Sequence, residues 1–226
     1  MAPDAGFRPC GLSGTVVGIL LNHAPALQAL DAAAHLLPYN MPPVAPVLYI
    51  KPRNCLAGDG AKVAVPADAS ELEMGATLGI VMGRTTCRVT PDEALDCVAG
   101  YTIVCDISIP HEVFYRPSVR LKARDGFCPM GPTVVSRDKV AAPDNLAVHI
   151  WVDDVLVQSA RTSERIRPVA QLIADVSEFM TLAAGDVLML GASAHAPRAR
   201  AGQQIRIAME GLGELGFTLV PEGLLS

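Results

Sequence analysis

Short apolar runs separated by glycine and proline dominate the chain after residue 60, and this pattern restricts the fold more than any other feature. Glycine contributes 19 and proline 18 of the 226 residues. Apolar runs of about four to eight residues between such residues predict strands, whereas helices need longer segments with a period of about 3.6 residues. The predicted strands outnumber the helices and do not alternate regularly with them. The sequence therefore predicts an α+β fold and not a doubly wound α/β sheet.

Three segments have the features of helices. Apolar residues recur at helical spacing in residues 25–37 and again in residues 168–182. A third helix is predicted to start at Thr90, because Thr90 and Glu93 can form a capping box, and to end at Gly100. The predicted strands cover residues 15–21, 47–51, 76–82, 101–106, 187–191, 204–210 and 216–220, together with a hairpin over residues 148–158 that turns at Asp153-Asp154.

A proline-rich segment divides the chain near its N-terminus. Residues 38–46, PYNMPPVAP, cannot form a helix or a central strand, because proline lacks the backbone N–H that both structures use. We predict that residues 1–46 form an N-terminal arm with a small strand–helix lobe. Residues 47–226 are predicted to form a single β-rich domain of the kind that carries a catalytic site.

The composition argues against several classes of protein. Half of the residues are hydrophobic and the formal net charge is −5, which is unlike a disordered chain and disfavours nucleic-acid and membrane partners. No apolar run approaches the roughly 20 residues of a membrane helix. Asp4 before and Asn22-His23 after the apolar residues 12–21 are unlike a secretion signal. The six cysteines contain no CxxC pair and are predicted to be reduced packing residues, so the expected location is the cytoplasm.

Common catalytic motifs are absent from the sequence. The chain has no GxGxxG before a helix, no GxxxxGK[ST], no HExxH and no GxSxG. The histidines, at positions 23, 35, 111, 149 and 195, lack the spacing of metal ligands. Nucleotide binding and serine-hydrolase chemistry therefore have no local support.

Three carboxylates are candidates for binding a cation. Glu71 and Glu73 precede an apolar strand and, as alternate residues, point to the same face. Asp106 ends a later predicted strand, where its carboxylate could complete a site of hard oxygen ligands. The alternative interpretations are a solvated acidic turn for the glutamates and a strand-end cap for Asp106.

A basic segment over residues 116–132 is a further candidate site. Arg116, Arg120 and Arg124 are spaced four residues apart, and Lys122 lies between the last two. If this segment is helical, the arginines line one face and can bind carboxylates in bidentate fashion. A solvated basic face is the alternative interpretation.

Taken together, these segments resemble the fumarylacetoacetate hydrolase family over nearly the whole chain after about residue 12. The resemblance implies a β-rich roll of mixed sheets with a few flanking helices, like the C-terminal part of fumarylacetoacetase, usually in a dimer. It also implies a magnesium or manganese ion and a 2-oxo or enol acid as substrate. The matching segments are Leu21-Asn22, Tyr49-Ile50-Lys51-Pro52, Gly100-Tyr101-Thr102, Asp106, residues 122–131 (KARDGFCPMG), residues 177–182 (SEFMTL) and Ala184-Gly185-Asp186.

A narrower set of matches resembles the N-terminal half or subunit of the isomerase/decarboxylase branch of this family, which acts in 4-hydroxyphenylacetate degradation. This resemblance implies decarboxylation of 5-oxopent-3-ene-1,2,5-tricarboxylate and isomerisation of 2-hydroxyhepta-2,4-diene-1,7-dioate in aromatic-acid catabolism. The matches are Leu21-Asn22-His23, residues 38–43, 49–54, 108–110 and 114–117, and residues 124–129 (RDGFCP).

The metal positions depart from the family pattern. The two metal-binding glutamates of the family fall at Gly75 and Thr77, neither of which is a carboxylate. Glu71 and Glu73 are therefore expected to be decoys, and Asp106 is left as a weak ligand. The resemblance implies magnesium or manganese binding, but only one of the three family ligand positions, Asp106, carries a carboxylate in this sequence.

The acid–base positions of the family also depart from the pattern. Its helical dyad of histidine and glutamate falls at Ala26 and Ala29, and its threonine in a Gly-Thr-Pro segment falls at Ala192. The residues that remain for catalysis are Lys122 and Asp125, with His23 as a substitute acid–base group. The residues expected to bind the substrate are Arg116, Arg124 and Phe127.

Two hypotheses about function follow. In the first, the chain is a working enzyme subunit in which Lys122 polarises the 2-oxo group of a small anionic substrate. In the second, the chain is a non-catalytic partner that pairs with a metal-bearing paralogue and completes its site. The expected assembly is a homodimer or a heteromer with a paralogous subunit.

Overall fold

A computed structural model describes residue 12, residues 14–114 and residues 118–224, and its strands form two β-sheets. The α-helices are α1 (Ala24–Ala34), α2 (Pro91–Ala94), α3 (Val119–Lys122) and α4 (Val169–Ser177). The strands are β1 (Val16–Leu20), β2 (Val47–Lys51), β3 (Leu56–Ala57), β4 (Ala61–Val65), β5 (Leu72–Met82), β6 (Val98–Ser108), β7 (Cys128–Ser136), β8 (Ala147–Val152), β9 (Val155–Arg161), β10 (Val187–Met189), β11 (Arg198–Ala199), β12 (Gln204–Met209) and β13 (Gly213–Pro221). These mixed sheets with few helices confirm the predicted α+β class.

The larger sheet has the strand order β2-β1-β10-β5-β6-β7-β3, and β11 also pairs with β5. Strand β1 lies between β2, to which it is antiparallel, and β10, to which it is parallel. Strand β1, which the sequence analysis assigns to the N-terminal lobe of residues 1–46, therefore pairs along both edges within the large sheet. A sequence distance of about 170 residues between β1 and β10 hides this pairing from local patterns.

The smaller sheet has the strand order β4-β13-β12-β8-β9. Its hairpin between β8 and β9 turns at Asp153 and Asp154, whose φ angles are 49° and 62°. Two consecutive left-handed residues are the mark of a type I′ turn, which matches the twist of a hairpin. The predicted hairpin is confirmed.

Strand β5 shows how the two faces of the large sheet differ. One set of alternate residues, including Leu78 and Ile80, packs in the main apolar core together with Ile207 and Leu215 of the smaller sheet. The residues between them point to the opposite face. Glu73, Gly75 and Thr77 lie on this second face, where Glu73 and Gly75 line an open cavity and Thr77 is buried.

The predicted helix after Thr90 is confirmed at its start and wrong at its end. Glu93 accepts a hydrogen bond from the backbone N–H of Thr90 at 3.0 Å, which is the glutamate's part of a capping box. The α-helix ends at Ala94, and Gly100 lies inside β6. A Cβ at Gly100 would lie 2.3 Å from the carbonyl oxygen of Val135, so this glycine permits close strand pairing rather than ending a helix.

The predicted basic helix is much shorter in the structure. Regular helix is confined to the single turn of α3, and Arg124 lies beyond its end. Within the described residues the arginines therefore do not line a common helical face.

Two further expectations concern the whole chain. Among the described residues, none of the helices has both the length and the apolar character needed to cross a bilayer. The five described cysteines are free thiols, and four of them are buried as predicted for packing residues, whereas Cys87 is exposed. Cys10 lies outside the described residues.

Gly18 makes room for an aromatic ring that spans β1. A Cβ at Gly18 would lie 2.2 Å from Cζ of Tyr49, the residue paired with it on β2. The ring of Tyr49 therefore lies directly over the backbone of β1, and its hydroxyl reaches Asp106 on β6.

We expect Gly18→Ala to lower the free energy of unfolding by about 1–3 kcal/mol, because the added methyl group displaces the Tyr49 ring. Urea unfolding followed by circular dichroism measures the loss. Gly216→Ala is the matched control, since the nearest atoms to its new Cβ lie 3.8 Å away. An equal loss in both variants would contradict the steric explanation.

Candidate functional site

An open cavity of about 860 Å³ lies on the second face of the large sheet. Its walls come from β5 and β6, the end of β1, α1 and the loop of residues 192–196. The volume lies within the range of about 300–1,000 Å³ that is usual for small-molecule sites. The lining mixes small apolar side chains with a few charged ones, which is the composition of a site for a small polar molecule.

Asp106 lies between two lysines at this cavity. Nζ of Lys122 donates to Oδ2 of Asp106 at 2.7 Å, and Nζ of Lys51 lies 2.7 Å from Oδ1. The hydroxyl of Tyr49 also donates to Oδ2, at 2.5 Å. Asp106, Lys51 and Lys122 are all buried. Strands β2 and β6 and the end of α3 thus bring one carboxylate and two ammonium groups together.

The Lys51 ammonium is held by hydrogen bonds to backbone carbonyl oxygens as well as by the charge of Asp106. Its Nζ donates to the carbonyl oxygens of Ile107, Lys122 and Phe127, at 2.9, 2.8 and 2.9 Å. An ammonium has three hydrogens. The contact with Oδ1 of Asp106 is therefore electrostatic, and this oxygen has no hydrogen-bond partner among the described residues.

Charge determines the ionisation of this cluster. Burial by itself raises the pKa of Asp106, but the attraction of Lys122 and Lys51 outweighs it and holds that pKa well below its usual range. Burial and the Asp106 charge raise the pKa of Tyr49 well above its usual value, which keeps the phenol protonated as a donor. The cluster therefore has an excess positive charge beside the cavity.

Small residues create the space of the cavity. Gly75 lies opposite Asp106 on the neighbouring strand, and a Cβ there would lie 2.7 Å from the Asp106 carbonyl oxygen and 3.1 Å from Cβ of Ala192. Ala26 and Ala29 of α1 line the opposite side. All four small residues occupy positions at which the sequence departs from the family pattern.

The residues at the family metal positions do not fit a divalent cation. Gly75 has no side chain, the hydroxyl of Thr77 accepts a hydrogen bond from the Gly191 N–H at 2.9 Å, and Asp106 is engaged by two lysines. Within residues 14–114 and 118–224, no group of three histidine, cysteine or acidic side chains is arranged to hold a metal. The cation beside Asp106 is instead an ammonium group.

Arginine side chains balance the negative charges of Glu71 and Glu73. Arg198 contacts Oε1 of Glu71 at 3.0 Å and Oε1 of Glu73 at 3.4 Å, and Arg200 lies 3.8 Å from Glu71. Glu73 and Arg198 line the mouth of the cavity. Their carboxylates do not converge with Asp106 on a common cation position.

His23 lies behind the cavity wall. Its Nδ1 accepts a hydrogen bond from the Ala194 N–H, and its Nε2 donates to Glu164, both at 3.1 Å. Burial lowers the pKa of His23, and the hydrogen bond to Glu164 opposes only part of that effect. Because both ring nitrogens are occupied by protein groups, the predicted role as a substitute acid–base residue does not fit this geometry. His23 instead fixes the loop of residues 192–196.

Two predicted substrate-binding residues lie elsewhere. Arg124 pairs with Asp68 at 3.1 Å, and its side chain does not line the cavity. Phe127 is completely buried in the main core, so its ring cannot touch a ligand. Arg116 lies outside the described residues.

The predicted catalytic residues do not all lie at the cavity. Lys122 lines the cavity. Asp125 is exposed and accepts a hydrogen bond from Nδ2 of Asn54 at 2.7 Å, away from the cavity. Of Lys122, Asp125 and His23, the structure places one at the candidate site.

Sequence reasoning missed several residues of the site. Ser108 could have been found, because it lies two residues after Asp106 and therefore on the same face of β6. Tyr49 and Lys51 belong to a segment that matches the family, but the sequence alone assigned neither residue a role in the site. His195 lines the cavity from the loop of residues 192–196 and Arg198 lines it from β11, and no local pattern marks either residue.

Comparison with known proteins agrees with this fold. The sequence profile described as fumarylacetoacetate (FAA) hydrolase C-terminal matches residues 15–220. The chain is 35% identical over 211 residues to the 4-hydroxyphenylacetate degradation bifunctional isomerase/decarboxylase of Escherichia coli. The aligned region covers 93% of this chain and 48% of that protein. The chain thus spans about half the length of this relative.

Solved structures are similar over most of the chain. The 5-carboxymethyl-2-hydroxymuconate delta-isomerase of Mycobacterium smegmatis superposes with a TM-score of 0.79 at 29% identity, covering 94% of this chain and 80% of that one. Fumarylpyruvate hydrolase of Pseudomonas aeruginosa, in complex with Mn²⁺ and pyruvate, has a TM-score of 0.80 at 21% identity and covers 97% of this chain and all of that one. The second similarity concerns the fold alone.

We expect the free energy of unfolding to fall as the pH is lowered below about 6.5, the usual histidine pKa. The unfolded chain binds a proton at His23 more readily than the folded chain, so acid favours unfolding. Urea titrations at about pH 8 and pH 5.5 measure the effect. His23→Asn keeps an acceptor for Ala194 but cannot titrate, and an equal loss of stability on acidification in that variant would contradict the prediction.

We expect Glu73→Ala to change magnesium or manganese affinity by less than about twofold, because Arg198 already balances this carboxylate. Calorimetric titration of the metal-stripped protein is the measurement, with the exposed Glu178→Ala as the matched control. A large loss of bound metal in Glu73→Ala alone would show that Glu73 is a ligand.

Proposed function

This chain belongs to the fumarylacetoacetate hydrolase family, and we propose that it binds a small anionic 2-oxo or enol acid in the cavity and tautomerises, isomerises or decarboxylates it. The observation that carries the proposal is the pairing of two buried lysines with a single carboxylate beside the cavity. Two ammonium groups and one carboxylate leave one positive charge unbalanced. A substrate carboxylate or an enolate oxygen is the complement that this charge favours.

Lys122 is the member of the cluster that lines the cavity. Its ammonium is fixed by Oδ2 of Asp106 and lies 5.0 Å from the centre of the Tyr49 ring. A cation held in advance at this point stabilises negative charge that develops on the 2-oxo oxygen during reaction. Ser108, on the same strand face as Asp106, adds a hydroxyl to the same wall.

The chemistry of such acids requires this stabilisation. In decarboxylation the carbon–carbon bond to the carboxylate breaks, carbon dioxide leaves, and the electron pair moves to the 2-oxo oxygen as an enolate. In tautomerisation a carbon–hydrogen bond breaks and the same enolate forms. Lys122 serves both reactions by holding the enolate oxygen, and no step depends on a metal ligand that this chain lacks.

The size of the cavity supports a dicarboxylic or tricarboxylic substrate. Gly75, Ala26, Ala29 and Ala192 leave room for an extended chain beyond the reacting carbons. The name of one similar structure, a 2-hydroxyhepta-2,4-diene-1,7-dioate isomerase, supports that dienoate as the substrate to try first. The resemblance given in the sequence analysis adds 5-oxopent-3-ene-1,2,5-tricarboxylate as the second. The free thiols support action in the reducing cytoplasm.

A non-catalytic partner subunit is the second candidate function. The chain corresponds to about half of the bifunctional relative, and it lacks carboxylates at Gly75 and Thr77. Exposed apolar side chains between α1 and β2, including Leu37 and Val44, supply a surface for a protein contact. A homodimer or a heteromer with a metal-bearing paralogue would cover it.

We expect Lys122→Ala to abolish binding and turnover of enol acids by the isolated protein, because the unbalanced positive charge is removed. Calorimetry with oxaloacetate, together with its enol–keto conversion followed by ultraviolet absorbance, measures both. The exposed Lys139→Ala is the matched control, and urea unfolding checks that both variants fold. Unchanged kinetics in Lys122→Ala would exclude this site, and an inactive wild type would favour the partner function.

A further inference from the structure

His195 has an unusual backbone conformation at the wall of the cavity. Its φ angle is +56°, in the left-handed region that few residues other than glycine adopt, with histidine among the more frequent of those few. The residue is exposed and lines the cavity. Such a conformation persists only where the surrounding structure imposes it, and it is found preferentially at functional sites.

Two side chains from other elements impose the conformation. Nε2 of Gln158, on β9 of the smaller sheet, donates to the carbonyl oxygens of Ala194 and His195, both at 3.1 Å. From the other side, Nδ1 of His23 accepts a hydrogen bond from the Ala194 N–H at 3.1 Å. The loop is therefore held from both sides at the residue before His195, and its backbone cannot relax freely.

The imidazole of His195 is available to a ligand. Within the described part of the chain, no hydrogen bond or ion pair engages this ring. Of the acids of the cavity, Asp106 is held by two lysines and Glu73 by Arg198, and Glu112 is the remaining carboxylate that lines it. His111 uses Nδ1 on the carbonyl oxygen of Ile109, and its Nε2 is buried. His195 thus combines exposure to the cavity with two free ring nitrogens.

We propose that His195 is the catalytic residue that moves the proton in the reaction of the cavity. The inference rests on the proposed function and deepens it by naming a proton carrier. Two alanines, Ala26 and Ala29, occupy the positions at which the sequence analysis places the family dyad, so this chain needs another group for that task. A histidine is suited to it because its ordinary pKa lies near neutral pH.

The step balances without a further reactant. The neutral imidazole takes a proton from the carbon next to the 2-oxo group, so that a carbon–hydrogen bond breaks and a nitrogen–hydrogen bond forms. The freed electron pair forms the carbon–carbon double bond, and the carbonyl π pair moves to the oxygen beside Lys122. The imidazolium then returns the proton to oxygen or to another carbon, which gives the enol or the isomer.

The pH dependence of this step reflects the groups around His195. The ionisable side chains that share the cavity with it are Glu73, Asp106, His111, Glu112, Lys122 and Arg198, and His23 lies behind the loop. We expect one limb of the pH–rate profile of the wild type to disappear when the imidazole is removed, while the influence of the other groups remains.

The test uses His195→Asn, because asparagine tolerates the left-handed region and preserves the loop. The enol form of oxaloacetate is the probe, its conversion to the keto form is followed by ultraviolet absorbance, and its binding is measured by calorimetry. We expect turnover to fall on the order of 100-fold or more, the usual contribution of general acid–base catalysis, with the affinity within about twofold of wild type. The exposed His35→Asn is the matched control and should keep wild-type turnover.

The other outcomes are decisive in different ways. Equal turnover in wild type and His195→Asn overturns the role of His195 and leaves the proposed function intact. A loss of turnover matched by an equal loss of affinity assigns His195 to binding and also overturns the proton-transfer role. A wild type without turnover overturns both proposals. If His195→Asn does not fold, His195→Gly provides the same comparison, because glycine adopts the left-handed region without strain.

Discussion

The burial of Asp106 between two lysines is the constraint on which the rest of the site depends. Removing an ion from water costs several kcal/mol even in relaxed proteins, so each buried charge needs well-placed partners. Lys51 meets this requirement with three carbonyl oxygens that belong to β6, α3 and the segment before β7. The ion cluster therefore ties the edge of the large sheet to the segment that carries Lys122, and it fixes the position of that ammonium before any ligand arrives.

The same cluster supports the proposal of an anionic ligand for the cavity. Gly75 lies opposite Asp106 where the family pattern has a carboxylate, so this position adds no second negative charge beside the two lysines. Gly18 has a related function, because it lets the Tyr49 ring cross β1 and donate to Asp106. Small residues thus determine both the space and the charge of the site. In other enzymes a divalent cation stabilises the negative charge that develops on a carbonyl oxygen, and the ammonium of Lys122 can serve this role here.

The loop of residues 192–196 connects this charge to the second sheet. Gln158 reaches it from β9, and His23 reaches it from the start of α1. Neither side chain lines the cavity, yet together they determine where His195 points. A site built in this way shares its fold with relatives of different chemistry, because the fold supplies the walls and a few side chains supply the reaction.

The sequence by itself determined the elements that depend on neighbouring residues. The capping box at Thr90, the turn at Asp153-Asp154 and the strand over residues 47–51 follow from local chemistry, and the structure has all three. Lys122 and Asp106 were visible as isolated candidates. Only the tertiary structure decided that they form one ion cluster with Lys51, that Phe127 is core, and that His23 faces Ala194 instead of a ligand. These outcomes depend on contacts between residues that are distant in sequence, which no local periodicity encodes.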